Sequence, residues 1–247
     1  MLFYNLFLQS LNIKREVFRK KMKNKLVLFD IDGTLIDSGE AGTRSLNKTF
    51  FQLFGIKDAF RKIKMAGKTD TQIIREGLRF HGLSDNNGGV EKITQKYVDI
   101  LKEEIQNPWR KVNPGVYEIL KLLLDKNIHV GLLTGNIEEG ARIKLTPFEL
   151  NKYFPAGAFG SDHEDRDMLL PIVIRKFSNL GINVFPNRCV VVGDTPRDVQ
   201  CSKIHGAYCI AVSTGPYSKQ ILEATEADIV VETLSEISDC MRFIDRI

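Results

Sequence analysis

The sequence predicts a doubly wound α/β core interrupted near its start by a block of helices. Short β-branched apolar runs bounded by turn residues recur at KLVLFD (25–30), IHVGLLT (128–134), RCVVVGD (188–194), AYCIAV (207–212) and ADIVV (227–231). Helical apolar spacing fills the gaps between the later runs, and strands alternating with helices require a parallel sheet covered on both faces. The interval from Ser38 to Val112 breaks that alternation with helical patterns only.

Taken in chain order, the first element is a basic extension, residues 1–24. Its opening MLFYNLFLQSLNI places the basic residues after the apolar stretch, lacks a small-residue cleavage site and is too short to span a bilayer. It reads either as an amphipathic segment docking on a membrane or on the folded body, or as translation upstream of a start at Met22; the second is favoured because a strand begins a few residues after Met22. KLVLFD is the first strand. GTRSLNKTFFQLFG, DTQIIREGLRFHG and VEKITQKYVDILKEEIQ then read as three helices of an inserted lid, with SDNNGG (84–89) as a loop inside it. NPGVYEILKLLLDKN follows as a helix with Pro114 in its first turn, and DRDMLLPIVIRKFSNLG as a helix ending at Gly181, with Pro171 near its start where a missing N–H is tolerated.

Composition bounds the class. The chain has 247 residues, 43% of them hydrophobic and 27% charged, as in an ordinary soluble protein able to bury a sizeable core. Lys14, Arg15, Arg19, Lys20, Lys21, Lys23 and Lys25 stand against Glu16 alone, so +6 of charge sits in the first 25 residues and the remainder carries −2 of the net +4. The folded body thus has no basic stripe to bind nucleic acid. Cys189, Cys201, Cys209 and Cys240 lack the close paired spacing of a zinc or redox motif, which suits a reduced, cytoplasmic protein. His81, His129, His163 and His205 form no ligand spacing, and the NKT sequon at 47–49 has no meaning in a cytoplasmic chain.

The chemistry is concentrated at strand ends. In an open parallel sheet ligands bind at the carboxyl edge, and there Asp30, Thr134 and Asp194 close three of the runs, with Asp32 two residues beyond Asp30. A single Asp or Thr after a strand is more often a helix cap. Three such groups, one of them in a D-x-D, call for a shared partner, because carboxylates leaving a buried strand are costly alone. Phosphoryl transfer supplies one: Asp30 as nucleophile, Asp32 as proton donor and base freed to turn back by Gly33, and a hard cation such as Mg²⁺ on the carboxylates. Asp198, four residues after Asp194, either helps hold that cation or caps the next helix.

DIDGTLIDS, GLLTGN and VVGDTPRDV resemble, in order and spacing, the first, second and fourth motifs of the haloacid dehalogenase-like hydrolase superfamily, in its phosphoglycolate-phosphatase-like branch. The resemblance covers nearly all of 25–247. It implies a Rossmann-like core (25–37 and 113–247) with an inserted helical cap (38–112), Asp30 as nucleophile, Asp32 as general acid and base, Thr134 as phosphate ligand, and Mg²⁺ held by Asp30, the backbone carbonyl of Asp32, and Asp194. The implied activity is hydrolysis of a small phosphorylated metabolite, phosphoglycolate-like or a sugar phosphate, through an aspartyl phosphate. Alternatives are a phosphomutase of the same fold and a non-catalytic phosphate-binding module; Asp32 argues against a dehalogenase, and a phosphonatase would need a Schiff-base lysine, for which Lys68 in the AGKTD loop (66–70) is the candidate.

The third motif departs from the pattern, since SDHEDRDMLLP offers no lysine at the usual place. Arg166 stands there, able to neutralise phosphate and Asp30; the competing readings are a surface arginine paired with Glu164, Asp165 or Asp167, and a fallback to Lys176. Gly135 and Asn136 follow Thr134 and can present backbone N–H groups to phosphate, although Asn136 can also cap the next helix.

Overall fold

The computed structural model describes residues 24–84 and 89–247. The readings of the basic extension and of the Met22 start, and most of the SDNNGG loop, lie outside the described residues. Eight strands are present among those described: β1 (Leu26–Phe29), β2 (Ile36–Asp37), β3 (Lys111–Val112), β4 (His129–Leu133), β5 (Gly157–Ala158), β6 (Cys189–Gly193), β7 (Tyr208–Val212) and β8 (Ile229–Val231). Six of them form one parallel sheet in the order β5-β4-β1-β6-β7-β8, with Leu26 of β1 in register with His129 on one side and Cys189 on the other. The first strand of the sequence is therefore central, and the chain winds outward from it in both directions.

Strand alternation explains the two covered faces. Val27 and Phe29 of β1 enter a cluster with Val190, Val192, Val130 and Leu132, packed by α4 (Val116–Asp125) and α8 (Ile237–Arg246). Leu26 and Leu28 point the other way, onto Leu170, Val173 and Phe177 of α6 (Leu169–Asn179) and Cys201 of α7 (Pro196–Lys203). A strand apolar at every position needs both layers.

Between β2 and β3 lie α1 (Ala41–Phe54), α2 (Asp70–Phe80) and α3 (Gly89–Glu104), which share a core of Leu46, Phe50, Phe60, Ile74, Leu78, Tyr97 and Leu101. Ile137, which caps α5 (Glu138–Leu145) after β4, joins this cluster and links the helical insertion to the sheet domain. The insertion enters and leaves through the antiparallel β2–β3 ribbon, where Ile36 pairs with Val112 and Asp37 with Lys111.

Three elements differ from the sequence expectation. β5 and the β2–β3 ribbon are only two residues per strand, too short to produce an alternation in sequence. Pro114 does not sit in the first turn of α4: the helix starts at Val116, and Gly115, at φ +84°, is its N-cap. A side chain at 115 would collide with the backbone at Leu234 and Ser235, and the left-handed backbone of Gly115 keeps it outside the helix.

All four cysteines are buried and unpaired, and burial pushes the thiols of Cys189, Cys201 and Cys240 up to about 12 and that of Cys209 higher still. With so little thiolate at pH 8, Ellman's reagent is expected to find no fast-reacting thiol in the native protein and four in guanidinium chloride.

Candidate active site

The site is built from the ends of three neighbouring strands. β1 runs out at Asp30, whose N–H still donates to Val192 O at 2.9 Å, so its carboxyl group is held at the sheet edge. The chain then turns back sharply: Leu35 N–H donates to Ile31 O at 2.9 Å, and Gly33 takes φ +81°. Only glycine suits Gly33, because a Cβ would also run into the Asp194 carboxylate. β4 ends at Thr134 and β6 leads into Asp194, whose Oδ1 accepts from Thr34 Oγ1 at 3.1 Å.

These groups line a single cavity of about 390 Å³ between the sheet edge and the helical insertion: Asp30, Asp32, Thr134, Gly135, Asn136, Arg166 and Asp194, and with them Lys68. Asp30, Asp194 and Asp198 approach so closely that one carboxylate oxygen from each lies within 4.8 Å of the others. Asp198 is nonetheless committed elsewhere. Its Oδ2 accepts from Thr195 N at 3.0 Å and Thr195 Oγ1 at 2.7 Å in a capping box at the start of α7, and its Oδ1 pairs with Arg166. Of the two readings of Asp198, the structure shows the cap.

Arg166 is 3% exposed, which excludes the surface pairing with Glu164, Asp165 or Asp167. Its guanidinium bonds Asp198 and lies 3.4 Å from Asp30 Oδ2. Lys176 is not at the site: it extends along α6 to Asp162 Oδ2 at 2.7 Å. Lys68 reaches the cavity rim but is paired with Glu76. None of the four histidines lines the cavity; His81 and His205 bond backbone carbonyls at Ala59 and Asp167.

Electrostatics at the sheet edge is dominated by burial. Burial pushes Asp30 up to about 6 against the pull of Arg166, and pushes Asp194 well above the ordinary carboxylate range with the charges of Asp30 and Asp198 adding to it. Two hard oxygen donors that repel one another in a dry edge fit a divalent cation, and the donor set, all oxygen, suits Mg²⁺ better than a soft metal. Asp32 is the opposite case. Its Oδ1 accepts from Ser38 Oγ at 2.9 Å, and its Oδ2 from Asn136 Nδ2 at 2.9 Å and Lys144 Nζ at 2.7 Å. Against partial desolvation, the Lys144 ammonium and these hydrogen bonds hold the Asp32 carboxyl below its usual range.

Sequence reasoning missed Lys144, Asp70, Ser38 and Tyr97. Lys144 is 4% exposed and also donates to Asn136 Oδ1 at 2.6 Å. A signal existed: in α5 Ala141, Lys144 and Leu145 share one buried face at spacings of three and four, so the lysine occupies an apolar-face position. Asp70 opens α2 and accepts from Ile137 N at 3.0 Å, and burial pushes it up to about 6. Further bonds clamp the insertion onto the core: Asp70 N donates to Gly135 O at 2.8 Å, Thr69 Oγ1 to Glu164 O at 2.7 Å, and Thr71 Oγ1 to Gly160 O at 3.1 Å.

A parallel sheet with acids and the buried Arg166 guanidinium at its carboxyl edge, faced by an inserted helical cap, is an arrangement suited to a phosphate ester. Residues 27–212 match the family described as haloacid dehalogenase-like hydrolase, and the chain belongs to that family. It is 25% identical over 226 residues to a phosphoglycolate phosphatase of Aquifex aeolicus, covering 90% of this chain and 97% of the relative. A phosphoglycolate phosphatase of Rhodospirillum rubrum is 27% identical over 225 residues, covering 89% and 91%. Among solved structures, CbbY from Rhodobacter sphaeroides in complex with phosphate superposes with a TM-score of 0.71 at 18% identity, covering 87% of this chain and 96% of that one. The chain is an enzyme, a phosphatase of this family acting on small phosphorylated metabolites.

Two stability predictions follow from the buried charges. Arg166→Met strips the cation from Asp198 and Asp30 and is expected to cost about 3–5 kcal/mol in urea unfolding, with Arg166→Lys recovering part of it. Asp70 holds its proton more tightly folded than unfolded, so its ionisation opposes folding as pH rises from about 4 to about 6. Asp70→Asn should therefore stabilise the protein at pH 7.5 by on the order of 2 kcal/mol, and less at pH 5, in urea melts at the two pH values.

Proposed function

We propose that this chain is a Mg²⁺-dependent phosphatase that hydrolyses a small phosphate monoester through an aspartyl phosphate on Asp30. The observation that carries the reading is the meeting of Asp30, Asp32, Thr134, Arg166 and Asp194 in one cavity at the carboxyl edge of the sheet. Support for the substrate class comes from the two relatives named phosphoglycolate phosphatase, which point to a phosphoglycolate-like or sugar phosphate. Four buried, unpaired thiols support a reducing, cytoplasmic setting.

In the first half-reaction Asp30 attacks phosphorus in line, the ester bond breaks, and Asp32 gives its proton to the leaving oxygen. In the second, Asp32 as carboxylate takes a proton from water, which attacks the aspartyl phosphate and frees phosphate with Asp30 restored. Asp32 accepts from Ser38, Asn136 and Lys144, which favour its carboxylate form, so the acid form used in the first half-reaction is reached against the Lys144 ammonium. Arg166, Thr134 and the N–H groups of Gly135 and Asn136 bind the phosphoryl oxygens. A divalent ion held by Asp30, Asp194 and the backbone carbonyl of Asp32 would offset the charge of phosphate and carboxylates. The cap, residues 38–112, closes over the leaving group and excludes water.

Replacing Asp30 with Asn should abolish p-nitrophenyl phosphate hydrolysis while leaving the circular dichroism spectrum unchanged; a fully active variant would end the proposal. Chelation with EDTA should remove activity and Mg²⁺ should restore it.

A further inference from the structure

We propose that the leaving-group end of the cavity, where Gly42, Asp70, Tyr97 and Lys144 meet, is a subsite for a neutral hydroxyl-bearing leaving group, a polyol or sugar, and discriminates against a carboxylate there. The inference rests on the phosphatase reading and narrows its substrate class.

The first support is an orphaned group. Tyr97, in α3 of the cap, is 0% exposed and lines the cavity, yet its hydroxyl has no hydrogen-bond partner. A buried hydroxyl left unpaired is costly, and the space in front of it is kept open by the absence of a side chain at Gly42. A Cβ at Gly42 would stand 3.2 Å from Lys144 Nζ and 3.6 Å from Tyr97 Oη, so the ammonium and the hydroxyl border one small gap. Gly42 lies in the first turn of α1, where alanine would suit the helix better. The partner missing from Tyr97 is therefore supplied by what enters the gap.

The second support is charge. The cavity is lined by the carboxylates Asp30, Asp32, Glu40, Asp70 and Asp194 against the cations Lys68, Lys144 and Arg166. Each cation is already paired: Lys144 with Asp32, Lys68 with Glu76, Arg166 with Asp198 and Asp30. A divalent ion would compensate Asp30 and Asp194 at the phosphoryl end. At the other end the one ammonium, Lys144, is already held by Asp32 and Asn136 and stands beside the Asp70 carboxylate, so an incoming carboxylate finds no unpaired cation and adds its charge next to Asp70. A hydroxyl meets a matching array instead: it can accept from Tyr97 O–H and donate to Asp70, while Leu46, Met65 and Ile73 on the cavity wall suit the C–H face of a carbon chain.

The test uses ester pairs that differ only at the end remote from phosphate: 2-hydroxyethyl phosphate with phosphoglycolate, glycerol 3-phosphate with 3-phosphoglycerate, sorbitol 6-phosphate with 6-phosphogluconate. With Mg²⁺ present, kcat/KM should favour the hydroxyl member of each pair by about tenfold or more. Tyr97→Phe should narrow that ratio about tenfold, chiefly through KM. Gly42→Ala, which favours the helix and so keeps the fold, should raise KM for the polyol esters by filling the gap. A kcat/KM equal or higher for the carboxylates, or a ratio untouched by both variants, overturns the subsite and leaves the phosphatase reading standing. No turnover of any ester, p-nitrophenyl phosphate included, overturns both.

Discussion

Crowding of acids at the carboxyl edge of the sheet is the constraint on which the rest of this molecule depends. Asp30 and Asp194 are drawn together because β1 and β6 are adjacent and in register, which fixes their backbones side by side at the same edge of the sheet. Two devices make the crowding tolerable. Arg166 is buried between Asp198 and Asp30, and Asp198 is in turn locked into the first turn of α7, so one guanidinium ties three segments into a rigid floor. The residual repulsion between Asp30 and Asp194 is what a bound divalent cation would relieve, and its affinity would then depend on the geometry of the sheet.

Asp32 belongs to a different electrostatic neighbourhood only two residues away. The backbone reversal at Gly33 carries it from the acid-rich floor to a wall of donors, Ser38, Asn136 and Lys144, and the two carboxylates are pushed in opposite directions as a result. Environments that separate the behaviour of two like groups are how a single site divides acid, base and nucleophile roles. Ser38 and Asp70 belong to the helical insertion and Asn136 and Lys144 to the sheet domain, so the groups around Asp32 come from both sides of the cleft. Movement of the cap relative to the sheet would therefore act on Asp32 as well as on access.

The core was legible because its signals are local and strong. Five apolar runs mark five of the six strands of the main sheet to within a residue or two, since a strand buried on both faces must be apolar throughout. β5 and the β2–β3 ribbon escaped because two paired residues leave no pattern, and their pairing is decided by neighbours far along the chain. The same holds for the site. Asp30, Thr134 and Asp194 could be grouped because the rule for parallel sheets places strand ends together, whereas the position of Tyr97 depends on how α3 packs over α1 and α5.

By itself, then, the sequence determined the class of fold, the sheet edge that carries the chemistry and the acids presented there, because those properties follow from hydrophobic period and from residues fixed within a few positions of a strand end. Tertiary structure alone decided which cations answer those acids. That Arg166 and not Lys176 reaches Asp30, that Lys144 is turned inward to Asp32, and that Gly42 leaves a gap before Tyr97 are outcomes of helix packing. A long side chain on a helix sweeps several ångströms, and only the surrounding atoms determine whether it meets solvent or a buried carboxylate.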